Sequence, residues 1–275
     1  MVITIIIATK NAVNLIDATI QSVKSQSFSS IQLIVYDSCS TDGTIDYLEN
    51  NSSSIDKLVI ESDNGIYYAW NKACSHVRGE WVHFLGAGDV LYDEFVYERI
   101  ANHLTSAYPE YEMVYGNIAL VSPRTKQMVE LISIPYHQMR NRWDCGRPAT
   151  PVHPEVFMHA SIFKKNNPFD CSYRYAADIK LMLQSMRRKD PLHVDICIDK
   201  MLTGGMSSDI KNYINSEVER RRLVKDLKIS VPIFVQACNI IKFSTKVFIF
   251  KSLGRRCFEL SVCMYRSLRG KRSYF

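Results

Sequence analysis

Four short runs in this sequence bring carboxylates, hydroxyls and small residues together in spacings that can do chemistry. They are Thr9-Lys10-Asn11, Asp37-Ser38-Cys39-Ser40-Thr41-Asp42-Gly43-Thr44, Ser62-Asp63-Asn64-Gly65 with the Ile66-Tyr67-Tyr68-Ala69-Trp70-Asn71-Lys72 that follows, and Gly86-Ala87-Gly88-Asp89. A carboxylate at a strand end, such as Asp37, can accept hydrogen bonds from a base or from ribose hydroxyls. The same residues equally fit a plain Asp-Gly turn with a Thr cap. Asp63 or Asn64 suits a helix cap as well as a nucleotide contact. Small residues at 86–88 let a diphosphate approach the backbone, and Asp89 offers hard oxygen ligation to a divalent ion. No Gly-x-Gly-x-x-Gly follows the first run and no Gly-x-x-x-x-Gly-Lys-Ser/Thr occurs, which argues against NAD, FAD and P-loop chemistry.

The elements that must hold these runs alternate between strand and helix. Residues 2–8 are a continuous, mostly β-branched run, the pattern of a strand covered on both faces. Residues 32–36, 58–61 and 80–85 read as further strands, and 14–25, 44–50 and 66–77 as helices between them. This alternation predicts βαβ units and a mostly parallel sheet flanked by helices, with the strand ends and their loops on one edge. Further on, 93–104 reads as a helix, 113–118 and 126–134 as strands, 176–188 as a helix and 193–198 as a strand. Residues 135–154, rich in Arg, Trp, Pro and His, read as a long functional loop. No internal repeat or low-complexity segment interrupts the pattern.

Of the 275 residues 47% are apolar, enough to bury a substantial core, and the net charge of +6 is unevenly placed. Residues 1–210 hold 19 Lys and Arg against 24 Asp and Glu, whereas residues 211–275 hold 15 against 4. The last quarter is therefore a separate electrostatic object, suited to an anionic partner. Cations scattered among Ile, Phe, Val and Leu in 233–269 fit a basic amphipathic helical tail in a membrane interface. The sequence lacks a recognisable nucleic-acid reader, so no nucleic-acid partner is expected. No run reaches the roughly 18 uninterrupted apolar residues of a membrane span, and no signal peptide is expected. The eight cysteines form no Cys-x-x-Cys and no zinc spacing with His, and reduced, mostly buried thiols are expected.

Taken in order, the four runs resemble those of family-2 glycosyltransferases of the GT-A fold over residues 1 to about 208. Ile5-Ile6-Ile7-Ala8-Thr9-Lys10-Asn11 resembles the first strand and nucleotide loop, and Asp37 to Thr44 matches the Asp-x-x-Ser-x-Asp-Gly-Thr signature. Ser62-Asp63-Asn64-Gly65-Ile66-Tyr67 looks like the colanic-acid-type branch of bacterial polysaccharide enzymes. Arg174-Tyr175-Ala176-Ala177-Asp178 resembles the late motif that supplies the base, and Gly204-Gly205-Met206-Ser207 the Gly-Gly-x-Ser loop.

The resemblance implies inverting transfer from a nucleotide-diphosphate sugar, often a UDP-sugar, to an acceptor hydroxyl in surface polysaccharide synthesis. Asp178 is then the base, at a helix start where the dipole favours its charge. Thr9, Asn11, Asp37, Asp63, Asn71 and Lys72 are the expected nucleotide-sugar residues, Asp89 the expected metal ligand, and His153, Gly204 and Gly205 are assigned to the acceptor side. Arg142, Trp143 and Arg147 suit an acceptor platform or a solvated basic loop. The implied layout is a 1–209 transferase domain (1–90 for the nucleotide sugar, 91–209 for the acceptor) and a 210–275 tail. The acceptor is expected to be lipid-linked or saccharide, with the protein cytoplasmic and peripheral on the inner face of the membrane. The departure lies where metal binds: the family's Asp-x-Asp is reduced here to Asp89, which puts the Mg²⁺ or Mn²⁺ cofactor in question. It also keeps open an alternative, a weak or inactive nucleotide-sugar-binding relative acting as a partner subunit. Lys180, where the branch often has a carboxylate, is expected to point away from Asp178.

Overall fold

A computed structural model describes residues 1–164, 167–203 and 210–268. The elements are β1 (Ile3–Thr9), α1 (Val13–Lys24), β2 (Ile31–Asp37), α2 (Thr44–Asn50), β3 (Lys57–Ile60), α3 (Ile66–Cys74), β4 (Trp81–Gly86), β5 (Val90–Leu91), α4 (Val96–Ala107), β6 (Met113–Val121), β7 (Met128–Ile132), α5 (Tyr136–Met139), β8 (Trp143–Asp144), β9 (Arg147–Pro148), β10 (Val156–His159), α6 (Ala177–Met186), β11 (Leu192–Leu202), α7 (Ile210–Asp226) and α8 (Ile233–Leu268). One sheet runs β3-β2-β1-β4-β10-β6-β11-β5, with β7 on the side of β6, and β8 and β9 form a small separate ribbon.

The expected parallel half is present: β3, β2, β1 and β4 pair in parallel. Beyond it the sheet is mixed. Strand β10 joins antiparallel to both β4 and β6, whereas β11 runs parallel to β6. Strands β5 and β10 are too short to show a period of two, and no sequence expectation covered them. The 135–154 loop holds a helical turn and the β8–β9 ribbon.

The β-branched run of β1 packs two cores at once. Ile6 lies in the cluster beneath α3 and α6, while Ile3, Ile5 and Ile7 face the cluster of α1 and α4. Each of these isoleucines is fully buried, a contribution of roughly 1.5–3 kcal/mol apiece. Helix α1 buries Ile16, Ile20 and Val23 at helical spacing. No side chain of its own caps it. Its first free N–H groups are satisfied from the β2–α2 loop, Ala12 N donating to Thr44 Oγ1 (2.9 Å) and Val13 N to Asp42 Oδ2 (3.1 Å).

Helix α7 is not detached from the domain. Leu223 and Leu227 enter the core under α6, and the Glu219 carboxylate accepts the backbone N–H groups of Arg174 and Tyr175 at 2.7 Å. Helix α8 is broken at Gly254, whose φ of 77° is not helical. Its first part, Ile233–Gly254, has a mean hydropathy of 1.4 and is long and apolar enough to cross a membrane, by length and composition only. Lys242, Lys246 and Lys251 interrupt its apolar residues, so it holds no uninterrupted apolar run of that length. Phe234, Ile241 and Phe248 are exposed along it. Beyond the break, Arg266 returns to Glu130 of β7 at 3.0 Å. Among the described residues no disulfide is formed.

Candidate active site

The parallel strands bring all four runs to one edge. In register, Thr9 lies beside Asp37 on β2, and Ala8 beside Gly86 on β4. Neighbouring strands are about 4.8 Å apart, so β2 to β4 spans about 10 Å. The loops after β1 and β2 are stitched together. Asn11, with φ 51°, donates its N–H to Ser40 Oγ (2.7 Å) and accepts Thr41 N at its Oδ1 (2.9 Å). Asp37 is fully buried, and both its oxygens accept from Ser40, the N–H at 2.7 Å and the hydroxyl at 2.6 Å. Beside it the hydroxyls of Thr9 and Ser38 are buried with no partner, a polar edge suited to a hydrogen-bonding ligand. Ser40, Thr41, Asp42 and Thr44, which fit both a nucleotide signature and a capped Asp-Gly turn, all bond within these loops. Their work here is to hold the loop and to start α1.

After β3, Asp63 Oδ1 accepts Gly65 N at 2.8 Å, an Asx turn that leads into α3. Gly65 itself occupies the cap position, with φ 132°. Asn71 and Lys72 lie further along α3. Asn71 clasps the backbone of Phe169, donating to its oxygen (2.8 Å) and accepting its N–H (2.9 Å). Lys72 pairs with Glu61. Both border a cavity of about 660 Å³ between α3 and α6 that contains none of Asp37, Asp89 and Asp178.

After β4, the chain turns so that Asp89 N bonds Gly86 O at 3.0 Å and Asp89 Oδ2 accepts Gly86 N at 3.1 Å. A Cβ at residue 86 would lie 2.7 Å from that oxygen and would push the Asp89 carboxylate aside. Burial raises the Asp89 carboxyl to about 6. On β11, Asp199 is wholly buried with neither carboxylate oxygen partnered, and no sequence signal marked it. Burial raises it well above the usual range, and the charge of Asp89 adds to the effect. Among the described residues no group of three or more His, Cys, Asp or Glu is arranged to hold a metal.

Asp178 is in the first turn of α6, and Tyr67 donates its hydroxyl to Asp178 Oδ1 at 2.8 Å. Tyr67 is in the first turn of α3, directly after the loop that leaves β3, so this bond draws Asp178 to the strand-end edge. Burial first, then the charge of Asp178, raises the phenol of Tyr67 well above 10, so it stays a neutral donor. His153 is buried, stacks on Trp70 with centroids 4.8 Å apart, and has no partner for Nε2. Burial lowers its imidazole and Asp178 opposes that shift. Arg147 is buried, bonds Asp144 at 2.9 Å and leaves Nε unpartnered. Burial lowers it, and the charges that oppose this include Asp178. Trp143 stays exposed, so the three platform residues separate: Arg147 goes inward and Trp143 outward. Lys180 points away from Asp178, to Asp170 at 2.6 Å. Gly204 and Gly205 lie outside the described residues.

The profile of glycosyl transferase family 2 matches residues 4–166, more than half of the chain. The chain belongs to glycosyl transferase family 2. It is 27% identical over 180 residues to a PGL/p-HBAD biosynthesis glycosyltransferase of Mycobacterium bovis, covering 63% of this chain and 65% of that protein. The chain thus spans slightly less than two thirds of the curated relatives of that kind. It is 30% identical over 120 residues to the Escherichia coli UDP-Glc:alpha-D-GlcNAc-diphosphoundecaprenol beta-1,3-glucosyltransferase, covering 42% of this chain and 47% of that one. Among solved structures, a Pyrobaculum calidifontis mannosyltransferase in complex with GDP-Man and Mn²⁺ superposes with a TM-score of 0.65 at 18% identity, over 98% of this chain and 82% of that chain. S. aureus TarS in complex with UDP-GlcNAc superposes at 0.62 and 16% identity, over 97% and 78%. At such identities these two show the fold, which is that of a family-2 transferase.

Proposed function

We propose that this family-2 chain transfers a sugar from a nucleoside-diphosphate sugar, a UDP-sugar, to an acceptor hydroxyl, with inversion, in bacterial surface polysaccharide synthesis. The observation that carries the reading is the Tyr67–Asp178 hydrogen bond, which joins a carboxylate to the edge where Thr9, Asp37 and Asp89 stand. In this reading Asp178 takes the proton of the acceptor hydroxyl as its oxygen bonds to the anomeric carbon. The bond to the diphosphate breaks, and the nucleoside diphosphate leaves with the electron pair. Thr9, Asn11 and Asp37 hold the nucleoside. Asp63 turns the chain beside it, while Asn71 and Lys72 act by fixing the loop around Phe169 and the end of β3. A divalent cation held at Asp89 would offset the charge that develops on the leaving diphosphate. The hard carboxylate oxygens of Asp89 and Asp199 fit such an ion.

The acceptor side is formed by His153 and Arg147 near Asp178. A buried guanidinium with a free N–H suits an anionic acceptor, and a lipid-linked diphosphate sugar fits best. The Ser62–Tyr67 run supports placement in the colanic-acid-type branch. The exposed apolar residues and lysines of Ile233–Gly254 support a peripheral site on the inner face of the cell membrane, each cation near anionic lipid adding on the order of 1 kcal/mol. The reading keeps a 1–209 transferase unit and a 210–275 tail, with α7 serving as the joint. The purified chain should transfer sugar from one member of a UDP- and GDP-sugar panel to a lipid-diphosphate acceptor, and Asp178→Asn should abolish it. Absence of transfer from every donor, with Asp178→Asn indistinguishable from wild type, would refute the reading.

A further inference from the structure

Strand β11 supplies a second carboxylate next to Asp89. Strands β5 and β11 are antiparallel, with Asp199 opposite Leu91 and Lys200 opposite Val90. Side chains two apart on an extended chain share a face. Asp89 directly precedes β5 and so stands diagonal to Asp199 across the strand pair, close enough for its charge to act on the Asp199 carboxyl. Asp199 is wholly buried, and neither oxygen has a well-formed hydrogen bond, although the backbone N–H groups of Lys200 and Val90 stand close enough to favour its charge. The adjacent cation does not serve it: the Lys200 amine sits 4.9 Å from the centroid of the Tyr92 ring. A buried carboxylate short of donors is costly as an anion, and it is relieved either by taking up a proton or by coordinating a metal.

Two further features fit an ion. Asp89 keeps partial exposure whereas Asp199 is sealed, so the pair lies at the rim of the core. Its carboxylate is folded onto the Gly86 N–H in space that a side chain at 86 would take, so a second ligand cannot come from that position of the loop. Two carboxylates match the charge of a divalent cation, which then keeps its remaining positions for water and phosphate oxygens.

We propose that Asp199 is the second protein carboxylate of a divalent-cation site shared with Asp89. The site rests on the transferase reading for its third partner, the donor diphosphate. Its test is Mn²⁺ binding to the full chain, followed by electron paramagnetic resonance of the free ion, with and without UDP. Wild type, Asp199→Asn and Asp199→Leu are compared. Wild type should bind one Mn²⁺, more tightly with UDP. Both variants should weaken Mn²⁺ at least tenfold while metal-free UDP affinity stays within twofold. Mn²⁺ should raise the melting temperature of wild type and leave that of the variants unchanged. Asp199→Leu removes the buried charge, so its metal-free form should melt no lower than wild type, which keeps the test independent of misfolding. A folded variant that binds Mn²⁺ as wild type does would overturn the proposal. So would a wild type that binds UDP and no Mn²⁺, the behaviour of a carboxyl pair that only shares a proton. Variant-sensitive Mn²⁺ binding without transfer from any donor would keep the ion site and sink the transferase reading instead.

Discussion

Replacing Tyr67 by Phe removes one oxygen and tests whether Asp178 acts where Tyr67 holds it. The ring should stay, because it packs against Trp70 (centroids 5.5 Å) and Phe169 (5.9 Å) without using the hydroxyl. What is lost is a 2.8 Å bond from a buried neutral phenol to a carboxylate. Hydrogen bonds to charged groups contribute about 1.5–3 kcal/mol. If that whole amount serves to hold the base, kcat should fall about 10- to 150-fold. KM for the nucleotide sugar should stay within a factor of two, since Tyr67 touches none of Thr9, Asn11 and Asp37 among its recorded hydrogen bonds. Steady-state kinetics with saturating acceptor, alongside thermal melting, read both effects. A Tyr67→Phe protein that melts like wild type and keeps wild-type kcat would show that the bond does not position a base.

Three other changes probe separate links. Asn71→Ala breaks the clasp on Phe169 and should cost about 2–3 kcal/mol in urea unfolding, because the loop N–H and C=O lose their partners together. Gly86→Ala should push the Asp89 carboxylate off the Gly86 N–H, because the new Cβ would stand only 2.7 Å from Asp89 Oδ2, and lower kcat roughly tenfold in a protein that still melts cooperatively. Burial raises the Glu155 carboxyl from 4.5 to about 8, so the folded chain keeps a proton that the unfolded chain has released. Stability should therefore fall as pH rises through that window, by roughly 3–5 kcal/mol in total. Glu155→Gln, neutral throughout, should flatten the loss between pH 5 and pH 9 in chemical denaturation, and an unchanged slope would show that Glu155 is not the group responsible.

The strand-end runs were legible because they obey local rules. β-Branched residues at 3–7 demand a doubly covered strand, and Asp-Gly and Asn-Gly pairs mark where the chain leaves the sheet. The match of residues 37–44 to a known signature needed only order and spacing. The uses of those residues were not legible. Asp42 and Thr44 start a helix that precedes them in sequence, and Asn71 serves a loop almost a hundred residues away. Nothing near residue 71 reports that loop.

Sequence alone determined the parallel half of the sheet, the four loops on its edge and the family, since periodicity and turn chemistry act within a few residues. Tertiary structure decided the rest. It drew Asp178 to Tyr67, turned Arg147 inward and Trp143 outward, and packed α7 beneath α6 although its charges read as part of a separate tail. It also set Asp199 diagonal to Asp89 through a two-residue strand too short to carry a pattern. Each of these depends on which strands become neighbours, a long-range choice made by burial of the whole core and not encoded in any one segment.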